Sequence, residues 1–381
     1  MTGPGGTTLL HGGRVVDAGG RRDGGWVLLD GDTIAAVGSG DAPRAGRSVD
    51  LAGAWLVPGF VDLHVHGGGG HAAEEGIEGM RAALAAHRGH GTTRSLVSLV
   101  AAPLEELAAS LAAVADLAEA DPRVLGAHLE GPFLSAARCG AHEPAHLRPP
   151  APAAVDRLLA AARGRLRQVT IAPELPGALA AIGQFTAAGV TVAVGHTEAG
   201  MELTARAFDA GARVLTHAFN AMPGLGHRAP GPVGAALADS RITLELVLDG
   251  QHVHPVVAGL LLSAAPGRVA LVSDAMAAAA AGDGRYRLGR ADVVVRDGRA
   301  VLEGTGTIAG STLTLDRALR LAVQVVGVDP VAAVTALTLI PARALGLDSR
   351  IGRLAPGYAA DAVVLDEDWS VQAVWAGGRP V

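Results

Sequence analysis

Lysine does not occur in this 381-residue sequence; all 31 basic side chains are arginine. That absence removes a Schiff-base lysine, a phosphate-loop lysine and a carbamylated lysine bridging two metals from the available chemistries. Cysteine is nearly absent as well, and the single Cys139 excludes an internal disulfide or a multi-cysteine zinc site. Aromatic residues make up only 3%, so a core of small aliphatic side chains in layers is expected. No apolar run approaches about 18 residues without Gly, Pro or charge, and the opening MTGPGGTTLLHGG lacks a basic segment followed by an apolar one. A cytoplasmic protein with no membrane partner is expected. With a net charge of -6 there is no surplus of basic residues to bind nucleic acid, so an anionic substrate has to be held locally.

What is present is organised in two textures. Residues 8–57 form short β-like runs, TLLHGGRVV, GWVLLD and TIAAVG, separated by Gly and Asp turn signals. After Pro58, strand and helix alternate, the pattern of βα units around a parallel sheet. The candidate strands are WLVPGFVDLHVH, TTRSLVSL, RVLGAHLE, RQVTIAPE, VTVAVGHT, RVLTHAFN, ITLELVLDG and RVALVSDA, eight in all. Ala- and Leu-rich helical stretches such as 79–90, 104–120, 155–162 and 202–210 lie between them. Past Ala275 a hairpin, RYRLGRADVVVRDGRAVLEG, interrupts the alternation, and the tail returns to short strands. The expected fold is α/β: a (β/α)8 TIM barrel over residues 56–349, with a small β-sandwich domain built from residues 1–55 and 350–381.

The chemistry-bearing residues fall where such a barrel would use them. His64 and His66 are two apart, so both imidazoles project from the same face of the first strand. The third strand ends in His128-Leu129-Glu130, the fifth in His196, the sixth in His217 and the eighth in Asp274. Carboxyl ends of barrel strands converge on one face, where the active sites of this fold lie. A single histidine at a strand end is more often capped or solvated than a ligand, but a set of them at matching positions is hard to reconcile with that reading. Imidazole and carboxylate donors suit Zn²⁺, and also Fe²⁺ or Mn²⁺.

The strings around these residues carry a resemblance. PGFVDLHVHGGGG, HLEGPF, GHT, THAFNAM, DGQHV, SDA and AGS, in this order, resemble the N-acetylglucosamine-6-phosphate deacetylase family of the amidohydrolase superfamily across nearly the whole chain. The resemblance implies a divalent metal at Glu130, His196 and His217. Some members lack the His-x-His pair and hold one metal; His64 and His66 are retained here, which implies a second ion with Glu130 bridging and Asp274 near. It further implies that Asp274 shuttles a proton and that His142 stabilises the oxyanion. The substrate-binding positions implied are Ala141, Asn220, Ala221, Asp249, His252, Ile308, Ala309 and Gly310, with Arg228 on the 6-phosphate. The state implied is a homodimer or homotetramer. Cys139, three residues before His142, has no family role, and neither do His71, His227 or His254.

The expected reaction is therefore hydrolysis of the N-acetyl amide of N-acetylglucosamine 6-phosphate, in amino-sugar catabolism and cell-wall recycling. A metal lowers the pKa of water to about 7 and polarises the carbonyl, and Asp274 moves the proton from water to the departing amine. Two rivals stand beside this. A superfamily hydrolase of N-acyl amino acids or cyclic amides would not need HLEGPF, FNAMP or Arg228, and a metal-free binding barrel would not need the full ligand set.

Overall fold

The computed structural model describes residues 6–381; Met1–Gly5, part of the opening segment read above for a leader, lie outside the described residues. Strands β1 (Thr8–Asp17), β2 (Gly20–Asp30), β3 (Thr33–Ser39), β4 (Arg47–Asp50) and β5 (Trp55–Pro58) begin a mixed sheet. Eight parallel strands follow: β6 (Phe60–Asp62), β7 (Thr92–Val100), β8 (Val124–Glu130), β9 (Leu166–Ile171), β10 (Thr191–Val194), β11 (Val214–Leu215), β12 (Thr243–Val247) and β13 (Val269–Val272), each paired with the next. A three-stranded antiparallel insertion, β14 (Gly284–Leu288), β15 (Ala291–Arg296) and β16 (Arg299–Leu302), extends the hairpin read from sequence by one strand. Strands β17 (Ala362–Leu365), β18 (Val371–Ala376) and β19 (Arg379–Pro380) then return to the first sheet, where β17 pairs with β5. This is the expected barrel, with both chain ends joined in one sheet.

The crossover helices are α1 (Ile77–Gly89), α2 (Leu104–Ala120), α3 (Pro152–Ala162), α4 (Ala178–Ala187), α5 (Met201–Asp209), α6 (Gly231–Ala238) and α7 (Pro255–Ala264), and α1, α2, α3 and α5 fall on the four stretches read from sequence. Helix α8 (Leu315–Arg320) runs on into a π-helical turn, Leu321–Val326, before α9 (Pro330–Leu337) and α10 (Leu339–Ala344). Among the described residues no helix is long and apolar enough to cross a membrane.

Two local features position the site. The run WLVPGFVDLHVH is split rather than continuous: β5 belongs to the chain-end sheet and β6 to the barrel. Gly59 turns the corner because its backbone passes so close to Thr93 that a Cβ there would stand 2.1 Å from Thr93 Oγ1. The barrel seam, in turn, closes through irregular backbone just past the strand ends. Asp274 N donates to His64 O (2.8 Å) and His66 N to Ala275 O (2.8 Å).

The core departs from the expected layers of aliphatic side chains in one place. Between barrel and helices the packing is Val, Leu, Ala and Ile with a few Phe. Inside the barrel, directly below its mouth, Asp62, Ser98, His128, Gln168, Thr170 and Glu245 are fully buried. Ser98, His128 and Thr170 form one hydrogen-bonded chain, Gln168 donates to Glu245 and Asp62 accepts from backbone N–H groups, and these bonds offset the cost of burying polar side chains there.

Candidate active site

Six side chains meet at the mouth because each stands at, or two to four residues past, the end of a barrel strand. His64 and His66 follow β6, Glu130 ends β8, His196 follows β10, His217 follows β11 and Asp274 follows β13. Three of them, His196, His217 and Asp274, have left-handed backbone with φ of 47°, 24° and 48°. Such conformations cost of order 1–3 kcal/mol each for non-glycine residues and cluster at functional sites.

Glu130 is the hub. Its Oε1 lies 3.0 Å from His217 Nε2, 3.1 Å from His196 Nε2 and 3.4 Å from His64 Nε2, while Oε2 lies 3.2 Å from both His66 Nε2 and His142 Nε2. The Nε2 atoms of His64 and His66 face each other at 3.0 Å, and so do those of His196 and His217. Asp274 Oδ1 is 3.5 Å from both members of the first pair. Lone pairs and carboxylates converging in this way repel unless cations or protons lie between them, and this donor set fits divalent metal.

The loop after β8 and the polar layer beneath together fix which ring nitrogen faces the centre. His196 Nδ1 donates to Arg138 O at 2.7 Å and His64 Nδ1 sits 3.4 Å from Glu245 Oε2, leaving both Nε2 lone pairs aimed inward. Glu245 also takes Gln168 Nε2 at 2.7 Å. Asp62 clasps the seam, its Oδ1 accepting from the backbone of His64 (3.1 Å) and Ser273 (3.2 Å). Burial pushes the Asp62 carboxyl up to about 6. His128, hydrogen-bonded to Ser98 and Thr170, has its pKa held well below the usual range by burial and by the neighbouring His64, so it is a neutral spacer.

His142 differs from the other histidines. Its Nδ1 accepts the Ala101 N–H at 3.2 Å, so its proton is on Nε2, pointing at the centre as a donor. Burial lowers its pKa and keeps it neutral. Burial would raise the pKa of Glu130 and of Asp274, but His64 above all outweighs it, and both stay well below the ordinary carboxylate range.

A cavity of about 360 Å³ opens on this cluster. Of the residues singled out from sequence, His66, Glu130, Ala141, His142, His196, His217, Asn220, Ala221, His252, Asp274, Ile308 and Gly310 line it. Four do not. His64 is buried beneath, and Ala309 is buried between its lining neighbours. Asp249 stands behind His252, accepting from its Nδ1 at 2.8 Å and so turning Nε2 toward Asp274. Arg228 is exposed on the loop after β11, while a different arginine, Arg138, lines the cavity. The AGS string has a clear local reason: Ser311 N donates to Asp274 O at 2.7 Å, and a Cβ on Gly310 would stand 3.0 Å from that same oxygen.

Sequence reasoning missed Asp62, Glu245 and Arg138. Counting two residues back from His64 places Asp62 on the same inward face, and the lone acid within the apolar run ITLELVL marks Glu245. No comparable signal marks Arg138.

An eight-stranded barrel with imidazoles and carboxylates gathered at its strand ends defines a class of metal-dependent hydrolases. The sequence profile of the amidohydrolase family matches residues 55–381, and the chain belongs to that family. Within the family, its similarity is to amino-sugar phosphate deacetylases. It is 41% identical over 328 residues to the N-acetylgalactosamine-6-phosphate deacetylase of Escherichia coli O157:H7, covering 85% of this chain and 87% of that one. It is 35% identical to the N-acetylglucosamine-6-phosphate deacetylase of Vibrio furnissii, covering 92% and 88%. A solved mutant of N-acetyl-D-glucosamine-6-phosphate deacetylase from Mycobacterium smegmatis, in complex with N-acetyl-D-glucosamine-6-phosphate, matches with a TM-score of 0.94 at 44% identity, over 99% of each chain. The resemblance read from HLEGPF and THAFNAM is borne out.

Proposed function

We propose that this protein hydrolyses the N-acetyl group of N-acetylglucosamine 6-phosphate to glucosamine 6-phosphate and acetate, in amino-sugar catabolism and cell-wall recycling. The observation that carries this reading is the Glu130 carboxylate facing two imidazole pairs at the mouth of a deacetylase-like barrel. One ion would be held by Glu130, His196 and His217, and a second by His64, His66 and the same Glu130, with Asp274 beside them. Zinc is the first candidate, with iron or manganese as alternatives. Such an ion supplies Lewis acidity and a water of lowered pKa.

The chain's own residues do the rest. Asp274 takes the proton of the attacking water and gives it to the departing amine. His142 Nε2–H donates to the carbonyl oxygen as charge develops there. His252, held by Asp249, meets the sugar, as do Ile308, Ala309 and Gly310, while Asn220, Ala221 and Ala141 flank the bound substrate. The phosphate is met by arginine, Arg228 on the resemblance. A phosphorylated substrate and a lone free cysteine both suit the cytoplasm. The active form is a homodimer or homotetramer, supported by exposed apolar side chains at Val256 (65%) and Leu260 (65%) of α7 and at Val325 (58%) on the adjoining π turn.

The 41% identity to a galactosamine-type relative favours a second substrate, the C4 epimer. Metal analysis of the purified protein, paired with acetate release from both phosphorylated sugars and from free N-acetylglucosamine, tests the proposal. Metal-dependent release from N-acetylglucosamine 6-phosphate is expected, and equal rates with and without the phosphate would remove the phosphate reading.

A further inference from the structure

The catalytic cavity shares a wall with a larger one of about 590 Å³, enclosed by α2, the loop carrying Cys139 to His146, and the three-stranded insertion. Val100, Ala141, His142 and Leu288 line both cavities. Val100 reaches this wall past the β14–β15 turn, where a Cβ on Gly289 would stand only 2.8 Å from its Cγ2. Away from the shared wall the second cavity is largely apolar, lined by Leu99, Ala101, Ala102, Leu107 and Leu302. Its charged groups are three acids, Glu74, Glu106 and Glu143, against Arg290 and His146, and Arg290 is already taken by Glu106 at 2.7 Å. The surplus is negative.

Its position around the barrel gives this cavity a meaning that rests on the proposed deacylation. An amide divides its substrate at the carbonyl, with the amine on one side and the acyl group on the other. Of the residues assigned to the amino sugar, Ile308, Ala309 and Gly310 follow the insertion, and Asn220, Ala221 and His252 follow β11 and β12, the sixth and seventh barrel strands. Val100 ends β7, and Ala141 and His142 follow β8, the second and third strands. These are four strands away, on the opposite side of an eight-stranded mouth. His142, the donor to the carbonyl oxygen, stands at the boundary.

We infer that the second cavity is an acyl pocket, through which the enzyme also removes neutral N-acyl groups longer than acetyl, such as butyryl, from hexosamine 6-phosphates. The reaction is the same hydrolysis: the carbon–nitrogen bond breaks, a carbon–oxygen bond to water forms, and the amine leaves with the proton as a free fatty acid is released. No further reactant is needed. The unbalanced acids select against an anionic chain such as succinyl.

The test measures amine release by the metal-loaded enzyme from N-acetyl-, N-butyryl- and N-succinylglucosamine 6-phosphate. A closed acetyl pocket would reject two added methylenes by overpacking, whereas an open one should give kcat/KM for butyryl within about tenfold of acetyl and for succinyl at least roughly 100-fold lower. Ser110→Phe and Ala109→Phe, on the helix that walls only the second cavity, should lower butyryl turnover at least about tenfold and leave acetyl turnover within about twofold. Butyryl turnover more than about 1,000-fold below acetyl in the unaltered enzyme, or a ratio unmoved by both variants, would overturn the inference alone. No release from the acetyl sugar would overturn the proposed reaction and this inference with it.

Discussion

In the chain-end sheet, neighbouring residues alternate between two apolar environments. Val15, Leu56, Ala362 and Val364 enter one core, while Val16, Trp55, Val57, Val363 and Leu365 pack toward the barrel. The barrel mouth collects imidazoles and carboxylates within 3.0 to 3.5 Å of one another, on backbone that turns left-handed at three of them. One region gains stability from every residue it orders, and the other holds strained, mutually repelling groups in place with the stability supplied around it. Substitutions in the two regions should therefore separate activity from stability.

The widest separation is expected at the mouth. Asp274→Asn should lower kcat by about 10³–10⁴-fold while metal content and melting temperature stay at wild-type values; wild-type turnover would remove the proton-transfer role. The reverse is expected where the chain-end sheet docks on the barrel. Arg94 grips Asp361 through Nε (2.6 Å) and Nη2 (3.2 Å), both side chains largely buried. Arg94→Ala leaves the buried carboxylate without its cation, though still accepting the Gly377 N–H at 2.7 Å, and should cost about 3 kcal/mol, read as a lower midpoint in denaturant, with kcat of the folded enzyme unchanged. Loss of kcat without loss of stability would collapse the distinction between the two regions.

Glu245→Gln probes the polar layer beneath the mouth. Removing the carboxylate beside His64 Nδ1 should weaken metal binding about 10–100-fold, measured by competition with a chelator, with a smaller effect on folding. The smallest effect belongs to the His90–Asp316 pair, 3.3 Å apart and remote from the metal ligands. The carboxylate raises the pKa of His90; burial opposes ionisation of Asp316, but the hydrogen bond from His90 outweighs it and lowers its pKa. The histidine's contribution is complete below its unfolded value, about 6.5, and fades as pH rises through the higher folded value. The acid's contribution is present above about 3.9 and fades as pH falls through its lowered value. Asp316→Asn should thus cost most between about pH 4 and 6.5, at most about 1 kcal/mol after solvent screening, and a melting-temperature difference that does not shrink above pH 8 would contradict this.

The barrel and most of its mouth were legible in the sequence because both depend on periodicity. Alternation at two residues put His64 and His66 on one face, and strand ends located Glu130, His196, His217 and Asp274. The break at Gly59 was hidden because it follows from the approach of Thr93, a contact made only once the strands pair. Asp62 and Glu245 left a signal in spacing and in an apolar run, but their role with Gln168 as a polar layer emerges only when the barrel closes and a strand's inward and outward faces acquire different meanings. The exchange of Arg228 for Arg138 on the cavity wall is a matter of loop geometry, for which spacing carries no signal.

The backbone seam has a bearing on how the protein is made. The groups that close the barrel belong to the same residues that hold the centre: Ser273 Oγ donates to His64 O across 209 residues of chain, beside the bond from Asp274 N. Bringing such distant segments together is among the last and slowest steps of folding, because their loop must close before any contact rewards it. A chain still emerging from the ribosome, or one cut short before its eighth barrel strand, therefore has no complete centre with which to capture an ion. Metal uptake becomes a report that synthesis and folding have finished.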